Sequence, residues 1–332
     1  MRKKKAAPGT PVLAMSAGAL AVSASAVFID LSATSPGTAS FYRCLLALPL
    51  LAVLAVHERR LEGGWPFRQF GLVMVAGALF AGDMLLWTQA IAEVGAGLST
   101  VLVNAQVVIV PLLALLIDRE PMHRRFLFCL PWLVLGVVLT GGVLERGVSG
   151  TSPAWGTVHA ILAAICYSGF LYLLRRAGQR GHAIQSYGLV IAVAGLVSLA
   201  GGSVWRGVDL SPSWPALGWL ALTALCGQVF GWLLVARASP RLSSDAGAAL
   251  LMFTPIGALV LSVIVLGEHP TVLQFAGAAI MLVSAYAATS EHKWSTHIHR
   301  ARPCRAGTRQ DPPRNGQGRR LPTGERCGPV RE

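Results

Sequence analysis

Charge is scarce in this sequence. Only 13% of its 332 residues are Asp, Glu, Lys or Arg, while 54% are hydrophobic. An ordinary soluble domain carries about a quarter charged residues. So few charges do not cover a globular surface, and lipid is the natural solvent. Catalytic signatures are missing as well. There is no HExxH, no GxSxG, no Walker loop and no pair of carboxylates within one apolar stretch, so no enzyme is expected. "HERR" (57–60) lacks the second histidine of a zinc helix, and "VGAGLS" (94–99) is glycine-rich but follows no strand. Without a nucleotide-binding loop, energy must come from a gradient or from exchange. The six cysteines have no CxxC spacing, and Cys44, Cys129, Cys166 and Cys226 lie in apolar runs. Neither a disulfide framework nor a metal is indicated, and no cofactor is expected.

Basic charge is present in excess, at a formal +13. Its distribution argues against nucleic acid as a partner. Residues 290–332 hold ten Lys/Arg against four acids in a stretch rich in Pro, Gly and Arg, which reads as a disordered basic cytoplasmic tail. Residues 1–10 form a basic cytoplasmic N-terminus. "MRKKK" followed by "PVLAMSAGALAVSASAV" has the form of a signal peptide. More apolar stretches follow, and a later one resembles it, so it reads as a first, uncleaved membrane helix.

Stretches long enough to cross about 30 Å of hydrocarbon occur at 11–29, 38–56, 69–90, 97–117 and 126–144. Five more occur at 153–174, 184–205, 214–236, 244–266 and 271–289. The fold class expected is therefore all-α, a polytopic membrane protein of ten transmembrane helices. With the N-terminus inside, inner segments before the tail carry fifteen Lys/Arg and outer loops two, Arg146 and Arg206. This places both termini in the cytoplasm of a plasma (bacterial inner) membrane protein. Trp65, Trp155, Trp205 and Trp214 fall near span ends, where indole suits the interface.

The halves resemble each other. "GDMLLW" (82–87) matches "GQVFGW" (227–232) at an offset of 145 residues, and Ala19 and Ser23 match Ala164 and Ser168 at the same offset. "IDREP" (117–121) and "VLGEHP" (265–270) each follow a long apolar span. Five spans per half is an odd number, so the second copy enters the membrane inverted, as in many secondary transporters. The repeats are expected at 11–145 and 150–289.

"SPGTASFYRCLLALPLL" (35–51), "AIAEVGAGLSTVLVNAQVVIVPLLALLIDREP" (90–121) and "ALLMFTPIGALVLSVIVLGEHPTVLQFAGAAIMLVSAYA" (249–287) resemble the drug/metabolite transporter superfamily in its ten-helix EamA-type branch. The likeness runs from Pro11 to Thr289 and departs at "IDREP", where the usual "LGE" turn is replaced. It implies a secondary transporter moving a small metabolite by alternating access. The cavity would be lined mainly by spans one, three, four, six, eight and nine, with a site near Trp87, Gln106, Gln228 and Thr254. Amino acids and drug-like cations are the leading substrates, with a proton or another ion for coupling. The alternatives are a carrier of lipid-linked sugars or lipids and a non-transporting membrane scaffold. Besides membrane lipid, no other partner is indicated, and oligomeric state is not legible.

The polar groups inside the spans are the candidate site. Arg43 lies about 8 Å and Asp83 about 10 Å below the same surface at 1.5 Å per residue, on consecutive antiparallel helices. An ion pair between them would let each tolerate the membrane. Three readings stay open: a bridge pinning spans two and three, a site element that opens onto a charged substrate group, and a proton carrier at Asp83. Gln228 is the repeat equivalent of Asp83, and Trp232 that of Trp87. Asn104 and Gln106 sit deep in span four, with Thr254 and Pro255 at the matching level of span nine. Pro255 removes a backbone donor and marks a kink or gating point. Tyr167, with Ser168 and Ser23, would add cavity polarity, although serines in small-xxx-small rows also serve packing. His159 lies near the outer surface, where an imidazole could titrate or simply be hydrogen-bonded. Glu120 and Glu268, at span ends, read as markers of turns and helix termini.

Overall fold

The computed structural model describes residues 10–64, 70–119, 124–142, 151–177, 182–238 and 250–289. The basic tail, the N-terminal lysines, Glu120 and the loops bearing Arg68, Arg146, Arg180 and Arg241 lie outside them.

Apolar helices joined by short connections account for what is described. Helix α1 (Thr10–Ser32) turns within three residues into α2 (Pro36–Glu62). Ser35 caps α2 by accepting from the Thr38 amide at 3.2 Å, and Pro36 opens the first turn, where its missing N–H costs nothing. The apolar stretch expected at 38–56 continues as helix for another six residues, His57 to Glu62, and stops at Gly63, whose φ of +88° ends the ladder. Helix α3 (Phe70–Val94) follows. The single helix expected at 97–117 is in fact two, α4 (Ala96–Val103) and α5 (Gln106–Asp118), with a turn at Asn104–Ala105. Then come α6 (Arg124–Thr140), α7 (Pro153–Ala177) and α8 (Ala183–Trp205). The next stretch starts as α9 (Trp214–Thr223), widens into a π-helical segment at Ala224–Gly231, and resumes as α10 (Trp232–Ala238). Helix α11 (Phe253–Leu261) runs into a second π-helical segment at Ser262–Leu266, and α12 (Val272–Thr289) completes the set.

Among the described residues, seven helical stretches are long and apolar enough to cross a membrane. Leu127–Thr140, Phe253–Leu266 and Val272–Ala288 are shorter apolar helices. Their outward faces suit hydrocarbon: Phe128, Leu196 and Val283 are at least 68% exposed. The chain is thus an all-α, multi-pass membrane protein.

In lipid, helices associate through close packing, and small residues allow it. A Cβ placed on Gly37 of α2 would lie 2.9 Å from the Cα of Gly202 in α8, and one on Gly277 of α12 would lie 2.5 Å from the Thr140 backbone nitrogen. Both approaches lie at one end of the bundle, where α1 finishes at Ser32 and the residues just after α6 meet the start of α7. At the Ser32 end, α1, α3 and α8 finish while α2, α4 and α7 begin. At the Glu62 end, α2 finishes and α8 begins.

Candidate functional site

Asp83 lies on α3 and is 6% exposed, so it faces the bundle interior. Arg43, on α2, is 5% exposed. The two act on each other electrostatically. They do not form the expected ion pair. The guanidinium carbon instead lies 5.3 Å from the ring centroid of Trp87, one turn along α3 from Asp83. Counting residues along helices fixes depth but not rotation, and the indole face intercepts the cation first. What remains is unusual for buried groups. Arg43 Nε and Nη1 and Trp87 Nε1 have no hydrogen-bond partner. Among the described residues, no hydrogen bond or ion pair reaches the Asp83 carboxylate. Ser40 and Thr88, each close along the chain to one of these residues, also carry unpartnered buried hydroxyls.

Beside this charged group stands an aromatic wall. Phe80 stacks on Phe170 at 4.3 Å between centroids, and Tyr167 lies 5.6 Å from Phe170. Trp232 meets Phe170 edge-on at 5.9 Å and stacks on Tyr187 at 5.2 Å. Tyr167 feels Asp83 electrostatically, and Tyr187 feels Arg43. Gln228 reaches the same cluster, its Nε2 donating to Met84 Sδ at 3.4 Å. It sits in the π-helical segment, whose wider turn leaves carbonyls available. Tyr187 donates to the Gln228 carbonyl at 3.1 Å. The structure therefore brings together Arg43, Asp83, Trp87, Tyr167, Gln228 and Trp232.

Asn104, Gln106, Thr254 and Pro255 gather elsewhere, around α1, the α4–α5 turn and α11. Asn104 Nδ2 donates to Met252 Sδ at 3.7 Å, and Thr254 Oγ1 to the Ala19 carbonyl at 3.4 Å. Ser23 Oγ lies 2.8 Å from the Thr254 carbonyl and 3.2 Å from that of Phe253. Gln106 Oε1 is buried without a partner. The helix is interrupted at Met252, three residues before buried Pro255. Ser168 bonds back to the Ala164 carbonyl at 2.6 Å and is fully buried, as a packing serine would be.

Carboxylates the sequence reading left at the margins are well partnered. Glu268 accepts from the Ala96 amide at 2.6 Å and the Gly97 amide at 3.3 Å, capping α4 across the two halves. Gly95 permits this: its φ is +99°, and a Cβ there would sit 2.8 Å from Glu268 Oε1. At the other end, Glu58 caps α8 through the amides of Ile184 at 3.1 Å and Gln185 at 2.8 Å. Glu93 was missed altogether. Its Oε2 lies 2.6 Å from His159 Nδ1, and its Oε1 accepts from Gln89 Nε2 at 2.7 Å. Asking each acid near a span for its partner would have exposed it.

Comparison with known proteins follows the two halves. The model of the EamA-like transporter family matches residues 9–142 and again 154–290. The chain is 26% identical over 288 aligned positions to the uncharacterized transporter sll0355 of Synechocystis sp., covering 77% of this chain and 82% of that protein. One crystal structure superposes with a TM-score of 0.52 at 18% identity, over 85% of this chain and 96% of the other. That likeness is one of fold alone.

Proposed function

Because the chain belongs to the EamA-like transporter family, whose members are small-molecule transporters and not enzymes, we propose that it is a ten-helix secondary carrier working by alternating access between two inverted five-helix halves. Two copies of the family model and the odd span count expected for each half support the inversion. So do the paired amide–thioether contacts. Met84 meets Gln228 between spans three and eight, and Asn104 meets Met252 between spans four and nine, each joining equivalent spans. The excess of Lys/Arg in one set of loops favours a plasma membrane protein with both termini cytoplasmic.

One observation carries the substrate reading. Arg43 and Asp83 are buried at mid-span and neither is hydrogen-bonded to a partner, beside aromatic rings on α3, α7, α8 and α10. Buried charges without partners are costly, and a ligand bearing both signs removes that cost from both. A carboxylate fits Arg43 and the Trp87 N–H, an ammonium fits Asp83, and an apolar side chain fits the aromatic wall. Amino acids therefore rank ahead of simple cations. Gln228, Gln106, Asn104 and Thr254 supply the remaining polarity, and the helix break before Pro255 serves as a gating point.

A thermal-shift screen of purified protein against amino acids, organic cations and lipid-linked sugars identifies the class, because a ligand raises the melting temperature by mass action. Radiotracer uptake of the hits into proteoliposomes then tests transport. Stabilisation by zwitterions, followed by their uptake, is the expected result. Stabilisation by lipid-linked sugars alone overturns the substrate assignment.

A further inference from the structure

Glu93 and His159 lie outside the mid-span site. They form an ion-pair contact of 2.6 Å. Glu93 is near the end of α3 and His159 near the start of α7, so the pair ties one helix of each half together at the Ser32 end. Their side chains are 10% and 15% exposed, shielded from bulk solvent yet reachable by it. Both carboxylate oxygens are occupied, Oε1 by Gln89 and Oε2 by His159. A 2.6 Å contact between Nδ1 and Oε2 requires a hydrogen between them. The pair thus always holds one proton and has room for a second, on the Nε2 of the imidazole. The ring stands between two indoles, with Trp155 at 6.2 Å and Trp205 at 5.9 Å between centroids.

We propose that Glu93 and His159 form a proton-binding latch, in which a proton taken up at His159 Nε2 holds the α3–α7 seam closed and opening of the seam releases it. The step is a simple proton binding: Nε2 gains H⁺ from water, and the pair passes from net charge −1 to 0. With a neutral imidazole only the carboxylate acceptor is charged; with an imidazolium donor and acceptor are both charged, and the bond is stronger. A proton that strengthens this contact therefore favours closure by linkage. Among the described residues, two charged groups stand near the pair. On α8 and its end, Arg206 rests its guanidinium 5.4 Å from the Trp205 ring. Beyond the α3–α4 junction, the carboxylate of Glu268 is held by the amides of Ala96 and Gly97. Neither hydrogen-bonds the pair. Because α3 carries Asp83 and α7 carries Tyr167, the same seam borders the mid-span site.

The test uses the full-length protein in lipid nanodiscs and protons alone as the ligand, so its outcome does not depend on a transported substrate. Two signals are followed between about pH 5 and 8. The first is tryptophan fluorescence, since an imidazolium quenches neighbouring indoles. The second is the spin-label distance between Ala92→Cys and Ala154→Cys, both exposed beside the seam, in a background whose six native cysteines are replaced. Acidification is expected to quench the wild type and to shorten and narrow the distance. His159→Asn loses both responses, with His159→Gln as the substitute should it fail to fold. Glu93→Gln keeps the quench, because the imidazole still protonates, but loses the distance response. A distance that ignores pH in the wild type, or that still responds in Glu93→Gln, overturns the latch.

Discussion

The middle and the ends of this bundle handle charge in opposite ways. At the ends, each carboxylate that joins helices is satisfied: Glu58 by two amides of α8, Glu268 by two amides of α4, Glu93 by Gln89 and His159. At mid-span, where desolvation is most severe, the guanidinium of Arg43 leaves Nε and Nη1 unpartnered, Trp87 leaves its N–H unpartnered, and Asp83 accepts no hydrogen bond among the described residues. Stability alone would arrange these the other way round, since an unmet polar group costs more in a dry interior than near water. Charged groups at the ends thus serve to join helices. On the function proposed above, those in the middle are left for a ligand to complete.

Mutations sharpen that contrast. The largest effect belongs to Asp83→Asn, which removes the charge while keeping the shape. Uptake of the identified substrate into proteoliposomes should fall by about 100-fold, the cost of truncating one partner of a buried charge pair, while gel filtration shows folded protein. Trp87→Leu leaves both charges and removes the indole beneath Arg43. Substrate affinity should weaken by about 1–2 kcal/mol, the worth of a desolvated cation–π contact, as read by calorimetry. At the ends, Glu268→Gln and Glu58→Gln should each lower stability by about 1–2 kcal/mol through loss of charge-assisted capping bonds, seen as an earlier thermal transition with substrate affinity unchanged. Ser168→Ala should change stability by less than about 0.5 kcal/mol, because its hydroxyl only bonds back along its own helix. Should the end variants cost affinity and Asp83→Asn cost only stability, the contrast is reversed.

Hydropathy made the positions of the helices legible, and Ser35–Pro36 marked the start of α2 within two residues. Identities at an offset of 145 residues pointed to two halves, and the family model matches residues 9–142 and again 154–290. Depth counting put Arg43 and Asp83 at one level, and they are electrostatic neighbours. It could not find the indole that takes the guanidinium, since an azimuth depends on how α2 and α3 are rotated by every other helix. The turn at Asn104–Ala105 was hidden for a related reason. Neither residue is a strong breaker, and the partner Asn104 finds there, Met252, lies 148 residues on. Glu93 escaped because it lay three residues beyond the span expected at 69–90, where an acid normally looks solvated, and its histidine partner is 66 residues away.

The central claim is that the unpartnered charges at mid-span are the place where substrate binds. Equilibrium binding to purified Asp83→Asn and Arg43→Gln, measured by calorimetry with the amino acid that most stabilises the wild type, tests it most directly. Binding should vanish in both variants while each melts as a folded protein. Wild-type affinity in either one contradicts the claim.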